Sequence, residues 1–160
     1  MHYESTVALL IGLQVFHVVF LFAHDWVPLG KLNDVEAQRR TDTLRKRLQI
    51  TVLSGIPYLL LLGSSWRNTH TQPFPTSILL WLWIGYGLLF AGELNAWWIP
   101  YFLRPDVERV DRYKRLFGTT HAFLVERNGI RPNTLHAVLH TTTLALLVCL
   151  GWLTWTQTHA

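Results

Sequence analysis

Four long apolar blocks, separated by segments that carry almost all the charge, limit what this chain can fold into. Half of its 160 residues are hydrophobic, which alone would also fit a soluble domain. A soluble helix as long as these blocks would carry polar residues every few positions. An apolar helix of about 20 residues is what crosses a hydrocarbon core about 30 Å thick. The sequence therefore predicts an all-α integral membrane four-helix bundle in the cell membrane.

We expect a single four-span transmembrane domain over residues 1–160, without a second domain or internal repeats. Tryptophans fall mostly near the ends of the blocks, where an indole ring favours the headgroup region. Periodicity and length place the spans near residues 7–23, 48–66, 76–103 and 134–155.

A short interfacial helix is predicted between spans three and four. Pro105 would open it and Gly118 would end it. Its apolar positions recur at helical spacing, opposite a basic face, as in helices that lie on a membrane surface. These positions are Val107, Val110, Tyr113 and Phe117.

The distribution of positive charge predicts the orientation of the spans. Of the 14 Lys and Arg residues, all but Arg67 lie in the segments between spans one and two and between spans three and four. The positive-inside rule places these segments in the cytoplasm and both termini on the non-cytoplasmic side. Membrane lipids are thus the expected partners of the basic loops, and nucleic acid is not expected.

Glu93 is the most informative residue, because it lies inside the third apolar block. A charged side chain there costs about 2.5–3.5 kcal/mol on insertion scales, so a partner is expected. The candidates are His17 in span one and His136 and His140 in span four. The helical rise places His17, His140 and Glu93 each about 8–10 Å inside the cytoplasmic boundary, with His136 shallower. We predict one polar layer, and take these four residues as candidate catalytic residues.

Other polar or aromatic residues share the helical faces of this layer. We expect these to contact a substrate: Gln14, Tyr86, Trp97 and Asn133. The histidines also have less specific readings. His17 alone fits a hydrogen bond between helices. His136 and His140, four residues apart, fit either a polar strip or a pair of metal ligands.

The preferred functional reading is a membrane-embedded enzyme that acts on an apolar lipid, terpenoid or quinone-like molecule. Glu93 would donate or accept a proton, with His140 or His17 as its partner. Isomerisation, cyclisation or epoxide opening would suit such a pair without a cofactor, and no nucleotide-binding loop or serine-hydrolase turn is present. The layout is similar to that of membrane sterol isomerases in architecture alone, and no residue role follows from that similarity.

Two alternatives belong to other classes. A metal or haem could be bound, with His17, Glu93, His136 and His140 as the ligands. The protein could instead bind or transport a small molecule, or act as a scaffold, without catalysis. Small bundles often associate to complete a cavity, so a homo-oligomer is an alternative to a monomer.

Overall fold

A computed structural model describes residues 3–103 and 107–159, and this part of the chain contains no β-strand. The prediction of an all-α fold is confirmed for these residues. In chain order the elements are α1 (Tyr3–Ala23), a 3₁₀ turn (Gly30–Leu32), α2 (Val35–Thr41), α3 (Leu44–Arg67), α4 (Thr76–Glu93), a π-helical segment (Leu94–Trp98), α5 (Ile99–Phe102), α6 (Val107–Phe117) and α7 (Thr134–Thr158).

Four helical stretches are long and apolar enough to cross a membrane, and they agree with the predicted spans to within four residues at every end. The third stretch joins α4, the π-helical segment and α5 without a break. The outward faces are apolar: Leu53 is 75% exposed, Leu88 68% and Val148 66%. Proteins in water rarely leave so much apolar surface uncovered. These helices are therefore compatible with a multi-pass membrane protein.

The four long helices form a ring in which each packs against two others. Helix α1 lies between α3 and α7, and α4 lies between α7 and α3. The core comes mainly from α1, α4 and α7, and includes Leu10, Leu82, Leu146 and Leu150, all fully buried. The α3–α4 seam is the most sparsely packed side of the ring.

Contacts at the two ends of the bundle define its up-and-down course. The Tyr3 hydroxyl donates to the Thr71 carbonyl at 2.7 Å, so α1 begins beside the loop that joins α3 to α4. At the other end, the His121 N–H donates to the Lys31 carbonyl at 2.6 Å. The two basic segments thus meet at one end, which we call the loop end.

The predicted helix α6 forms over Val107–Phe117, and the Gly118 N–H bonds to the Lys114 carbonyl as the helix ends. Pro105, predicted to open the helix, lies outside the described residues. The helix packs against the loop end of the bundle. The rings of Tyr113 and Phe117 lie 4.7 and 4.9 Å from the Trp97 ring.

A two-residue turn at Asn128 and Gly129 lies next to the contact between α6 and Trp97. Asn128 and Gly129 both have positive φ, of 53° and 76°, and the backbones of Arg127 and Ile130 exchange two hydrogen bonds of 2.9 Å around them. This left-handed pairing is what an Asn-Gly sequence favours. The turn carries Ile130, which is fully buried against the aromatic cluster around Trp97.

Helix α2 was not predicted from the sequence. Its N-cap is Asp34, whose side chain accepts from the Ala37 N–H at 2.8 Å. The residue after the helix, Asp42, is 7% exposed and accepts from Lys46 at 2.6 Å and from Arg112 of α6 at 2.9 Å. Burial alone would raise the pKa of Asp42, but the hydrogen bonds from Lys46 and Arg112 outweigh it and hold the pKa below its usual value.

Replacing Gly129 with Ala should destabilise the protein for two separable reasons. A left-handed φ costs a residue with a side chain about 1–2 kcal/mol. In addition, a Cβ at this position would lie 2.8 Å from Val110 Cγ1. Gly30→Ala is the matched control, since Gly30 has φ 62° and nothing lies within 4 Å of its Cβ position. We expect Gly129→Ala to lower the unfolding temperature in detergent more than Gly30→Ala does. Equal effects would contradict the close packing of α6 on this turn.

The stability of the loop end should decrease in acid. Because the folded pKa of Asp42 is depressed, its contribution is complete above the unfolded value of about 3.9 and is lost as the pH falls through the folded pKa. We expect this contribution to be about 1 kcal/mol, since Lys46 and Arg112 are partly exposed. Thermal unfolding of the wild type and of Asp42→Asn, measured from neutral pH into acid, checks it. An unchanged pH dependence in Asp42→Asn would show that this carboxylate is not the titrating group.

Candidate functional site

A π-helical segment at the end of the third span shapes the site. Pro100 has no backbone N–H and therefore cannot bond to the carbonyls one turn earlier. In addition, the Ile99 N–H bonds to the Leu94 carbonyl, five residues earlier. The carbonyls of Asn95 and Ala96 accept from α6 instead: Ala96 from the Tyr113 hydroxyl, and Asn95 from Arg109 Nη1 at 3.2 Å. Such wide turns are frequent at functional sites. The sequence had predicted a regular helix here.

The wide turn directs two consecutive tryptophans toward α7. The Trp97 ring lies 4.6 Å from the His136 ring, and Trp98 Nε1 donates to His140 Nδ1 at 3.0 Å. Trp97 is 5% exposed. Consecutive residues of a regular α-helix point about 100° apart, so the wider turn helps both indoles reach the same neighbour.

Glu93, the last residue of α4, is connected to His17 of α1 through one hydroxyl group on α7. The Thr143 Oγ1 atom lies 2.8 Å from Glu93 Oε1 and 2.9 Å from His17 Nε2. All three side chains are buried; Glu93 is 6% exposed, and the other two are fully enclosed. Three helices therefore meet at a continuous hydrogen-bonded chain.

The hydrogen atoms of this chain can be assigned from the partners. His17 Nδ1 lies 2.6 Å from the Leu13 carbonyl, which only accepts, so Nδ1 carries a hydrogen. The Thr143 hydroxyl has one hydrogen and faces Glu93, His17 and, at 3.0 Å, the Leu139 carbonyl. It cannot donate to Glu93 and to His17 at once.

These contacts limit the protonation states of the chain. An ionised Glu93 together with a neutral His17 would leave one of the two contacts without a hydrogen. Both contacts have a hydrogen if Glu93 is protonated and donates to Thr143, which donates to His17, or if His17 is doubly protonated and donates to Thr143, which donates to Glu93. These two states differ only in the position of one proton. The geometry thus offers a path for a proton between Glu93 and His17, and we call these three side chains the relay.

In their neutral forms, His136 and His140 differ in which ring nitrogen carries the hydrogen. The side-chain oxygen of Asn133, the N-cap of α7, lies 2.7 Å from His136 Nδ1 and accepts from it, so the neutral ring keeps an acceptor lone pair on Nε2. His140 Nδ1 accepts from the Trp98 indole, which only donates, so the neutral ring carries its hydrogen on Nε2. One histidine thus offers a base and the other a hydrogen-bond donor.

A cavity of about 510 Å³ brings Glu93, His136 and His140 together. It lies at the α3–α4 seam, and we call it the seam cavity. Most of its lining is apolar, including Leu53, Leu61, Leu88, Leu89 and Leu139. The lining residues that contribute polar atoms are Ser54, Tyr58, Glu93, Trp97, His136 and His140. A mostly apolar pocket with a few polar groups is the usual form of a small-molecule site.

Glu93 lines the seam cavity and is also the first member of the relay. Its Oε1 atom is held by Thr143, whereas the buried Oε2 atom has no hydrogen-bond partner among the described residues. A buried carboxyl oxygen without a partner is costly, and such atoms call for an explanation. A bound molecule in the seam cavity would supply the missing contact.

The other predicted residues lie in different places. Trp97 lines the seam cavity, as expected of a substrate-contacting residue. Gln14 and Tyr86 are fully buried in the core beyond the relay, with the Tyr86 ring 5.4 Å from the His17 ring, and neither lines the cavity. Asn133 caps α7 and orients His136. The predicted layer is thus divided into a cavity wall and an inner relay.

Sequence reasoning missed Thr143, the centre of the relay. A signal was present, because Thr143 follows His136 and His140 at the next position of the same helical stripe. Tyr58 was missed as well; its hydroxyl donates to the Gly85 carbonyl across the seam at 3.1 Å. Threonine and tyrosine are common in apolar helices, so neither residue stood out.

The proposed metal ligands do not converge. Within residues 3–103 and 107–159, no three His, Cys, Asp or Glu side chains are placed to hold a metal ion. Thr143 separates His17 from Glu93, and Trp98 and Asn133 occupy the Nδ1 atoms of His140 and His136. The described side chains therefore favour hydrogen bonding over metal coordination.

Replacing Thr143 with Val should destabilise the bundle by about 2–3 kcal/mol, because it leaves Glu93 Oε1 and His17 Nε2 buried without this partner. Thr142→Val is the control: its hydroxyl also donates to the Leu139 carbonyl, at 2.7 Å, but serves no second side chain. Thr143→Ser should retain most of the stability. Unfolding of the three variants in detergent is the measurement. If Thr143→Val and Thr142→Val cost the same, the relay is not a stabilising contact.

Comparison with known proteins adds no functional assignment. No protein-family model, curated protein or solved structure matches this chain.

Proposed function

We propose that this chain is a membrane-embedded enzyme that acts on an apolar small molecule, such as a lipid, terpenoid or quinone-like compound, by general acid–base catalysis. The observation that carries the proposal is the position of Glu93, in the wall of a mostly apolar cavity and at the end of a buried proton relay. Isomerisation, cyclisation and epoxide opening are the reaction types that fit.

The proposed setting is the cell membrane, with the loop end in the cytoplasm. Four apolar helices and their exposed apolar faces support the location. The concentration of Lys and Arg at the loop end supports the orientation, with both termini on the non-cytoplasmic side. Membrane lipids would surround the outer faces of the helices.

The substrate would enter sideways through the α3–α4 seam. This seam is the most sparsely packed side of the ring, and the cavity behind it is lined by leucines of both helices. Pro57 also lines the cavity, and its missing N–H leaves the Leu53 carbonyl without the usual helical donor. A molecule already dissolved in the bilayer would reach Glu93 without crossing water.

The proposed catalytic step follows from the positions assigned to the hydrogen atoms of these side chains. Glu93 would transfer its proton from the carboxyl group to a double bond or oxygen of the substrate. The carboxylate that forms would accept from Thr143. After each turnover, one proton from water, equal to the one that His136 removes from the substrate and releases, would reach Glu93 by way of His17 Nε2 and the same hydroxyl. His136 Nε2 would remove a proton elsewhere on the substrate, while His140 Nε2–H would hold a polar substrate atom. The reaction is redox-neutral and requires no cofactor.

Deuterium incorporation tests this proposal without knowledge of the exact substrate. Purified protein in bilayer nanodiscs, in D2O buffer, would be incubated with sterols, polyprenyl compounds and quinones, and the products analysed by mass spectrometry. We expect solvent deuterium in one compound class, because the donated proton exchanges with water. Glu93→Gln should reduce the rate by about 100-fold or more.

Glu36→Gln, an exposed carboxylate on α2, is the control and should leave the rate unchanged. Comparison of the oligomeric profile of each variant would show whether the bundle assembles. Absence of incorporation by the wild type in every class, or full activity in an assembled Glu93→Gln protein, would rule out acid–base catalysis by this carboxyl group.

A further inference from the structure

A second cavity, of about 220 Å³, lies at the loop end between the bundle and α6. We call it the loop-end cavity. It shares Trp97 and His136 with the seam cavity, so these two side chains lie between the two spaces. Its volume exceeds that of several water molecules, each of which occupies about 30 Å³ in the liquid. Its other lining residues are mostly charged or polar, in contrast to the leucines of the seam cavity.

Arg47 is the unusual residue of this cavity. It belongs to the first turns of α3, is 5% exposed, and lines the cavity. Its Nη2 atom donates to the Asp25 carbonyl, and its guanidinium carbon lies 4.3 Å from the centre of the Trp26 ring. Its Nε atom is buried and has no hydrogen-bond partner among the described residues.

Asp25 and Asp42 line the same cavity, but neither carboxylate lies within ion-pair distance of Arg47. Asp42 is held by Lys46 at 2.6 Å and Arg112 at 2.9 Å, and Asp25 is paired with His24 at 3.2 Å. Arg47 itself forms no ion pair with any described Asp or Glu. A buried guanidinium without a counter-ion is costly, and buried charges in proteins are normally paired.

We propose that the loop-end cavity binds an anionic group, a carboxylate or a phosphate, on the Nε side of Arg47. The planar guanidinium suits both groups, because it presents its N–H donors in a fixed geometry. Such a group could belong to a free anion or to the head of an amphiphile at the membrane surface. The site shares Trp97 and His136 with the seam cavity, but Glu93 and Thr143, which carry the proposed proton transfer, do not line it.

Binding of inorganic phosphate and of dodecyl phosphate to the full-length protein in neutral detergent tests the site, with dodecanol as the uncharged comparison. We expect wild-type protein to bind at least one of the two anions. Arg47→Gln should weaken that binding about tenfold or more, as expected for loss of a charge-assisted hydrogen bond. Arg47→Lys retains the charge without Nε and should show a smaller loss.

Arg45→Gln is the matched control, because it removes the same charge from the same helix at an exposed position. Arg47-dependent binding of phosphate would identify a free-anion site, and Arg47-dependent binding of dodecyl phosphate alone would identify a headgroup site; both support the proposal. No binding by the wild type, equal binding of dodecanol, or equal losses in Arg47→Gln and Arg45→Gln would overturn it. Glu93→Gln should bind the anion as the wild type does, whatever its catalytic activity.

Discussion

The hydrogen bonds that join Glu93, Thr143 and His17 are the constraint on which the arrangement of the bundle depends. Apolar packing between helices in a lipid environment is weakly directional, because lipid chains are as apolar as leucine. A carboxyl group in the same environment needs a specific partner. The Thr143 hydroxyl fixes the relative rotation of α1, α4 and α7, since all three polar groups must face one point. The surrounding leucines then pack around that point.

The π-helical segment links this inner chain to the loop end. In this segment the Ile99 N–H bonds to the Leu94 carbonyl, and Pro100 has no N–H to donate. The carbonyls of Asn95 and Ala96 accept from Arg109 and Tyr113, so α6 holds the end of this helical stretch. The same distortion brings Trp97 against His136 and Trp98 onto His140. One local departure from regular geometry thus positions the cavity wall and holds α6 against the bundle.

The two cavities on either side of Trp97 and His136 differ in chemistry. The seam cavity is apolar apart from a few convergent polar atoms, which suits a bilayer-soluble molecule and proton transfer. The loop-end cavity is polar and contains a buried guanidinium without a counter-ion, which suits an anionic group. His136 is common to both. Its tautomer is set by Asn133, the cap of α7, so the start of that helix also determines which ring nitrogen keeps a lone pair.

The number of long helices, their limits and the ionisable residues within them can be read from the sequence. Apolar length and charge placement are local properties, and they predicted the four long apolar helices to within four residues at each end. Glu93, His17, His136 and His140 were recognisable because ionisable groups are expensive in apolar helices. Helix α6 and the Asn128-Gly129 turn were also predictable, since their signals lie within a few residues.

The connections between these residues are visible only in the packed bundle. Thr143 shares a helical stripe with His136 and His140, but its importance comes from lying between Glu93 and His17 of two other helices. The division of the polar layer into a cavity wall and an inner relay depends on helix rotation, which no local pattern specifies. Likewise, Arg47 was one of many basic residues near a membrane boundary. Its burial without a carboxylate results from the packing of α1, α3 and α6 together, because electrostatic pairing depends on distance in space and not along the chain.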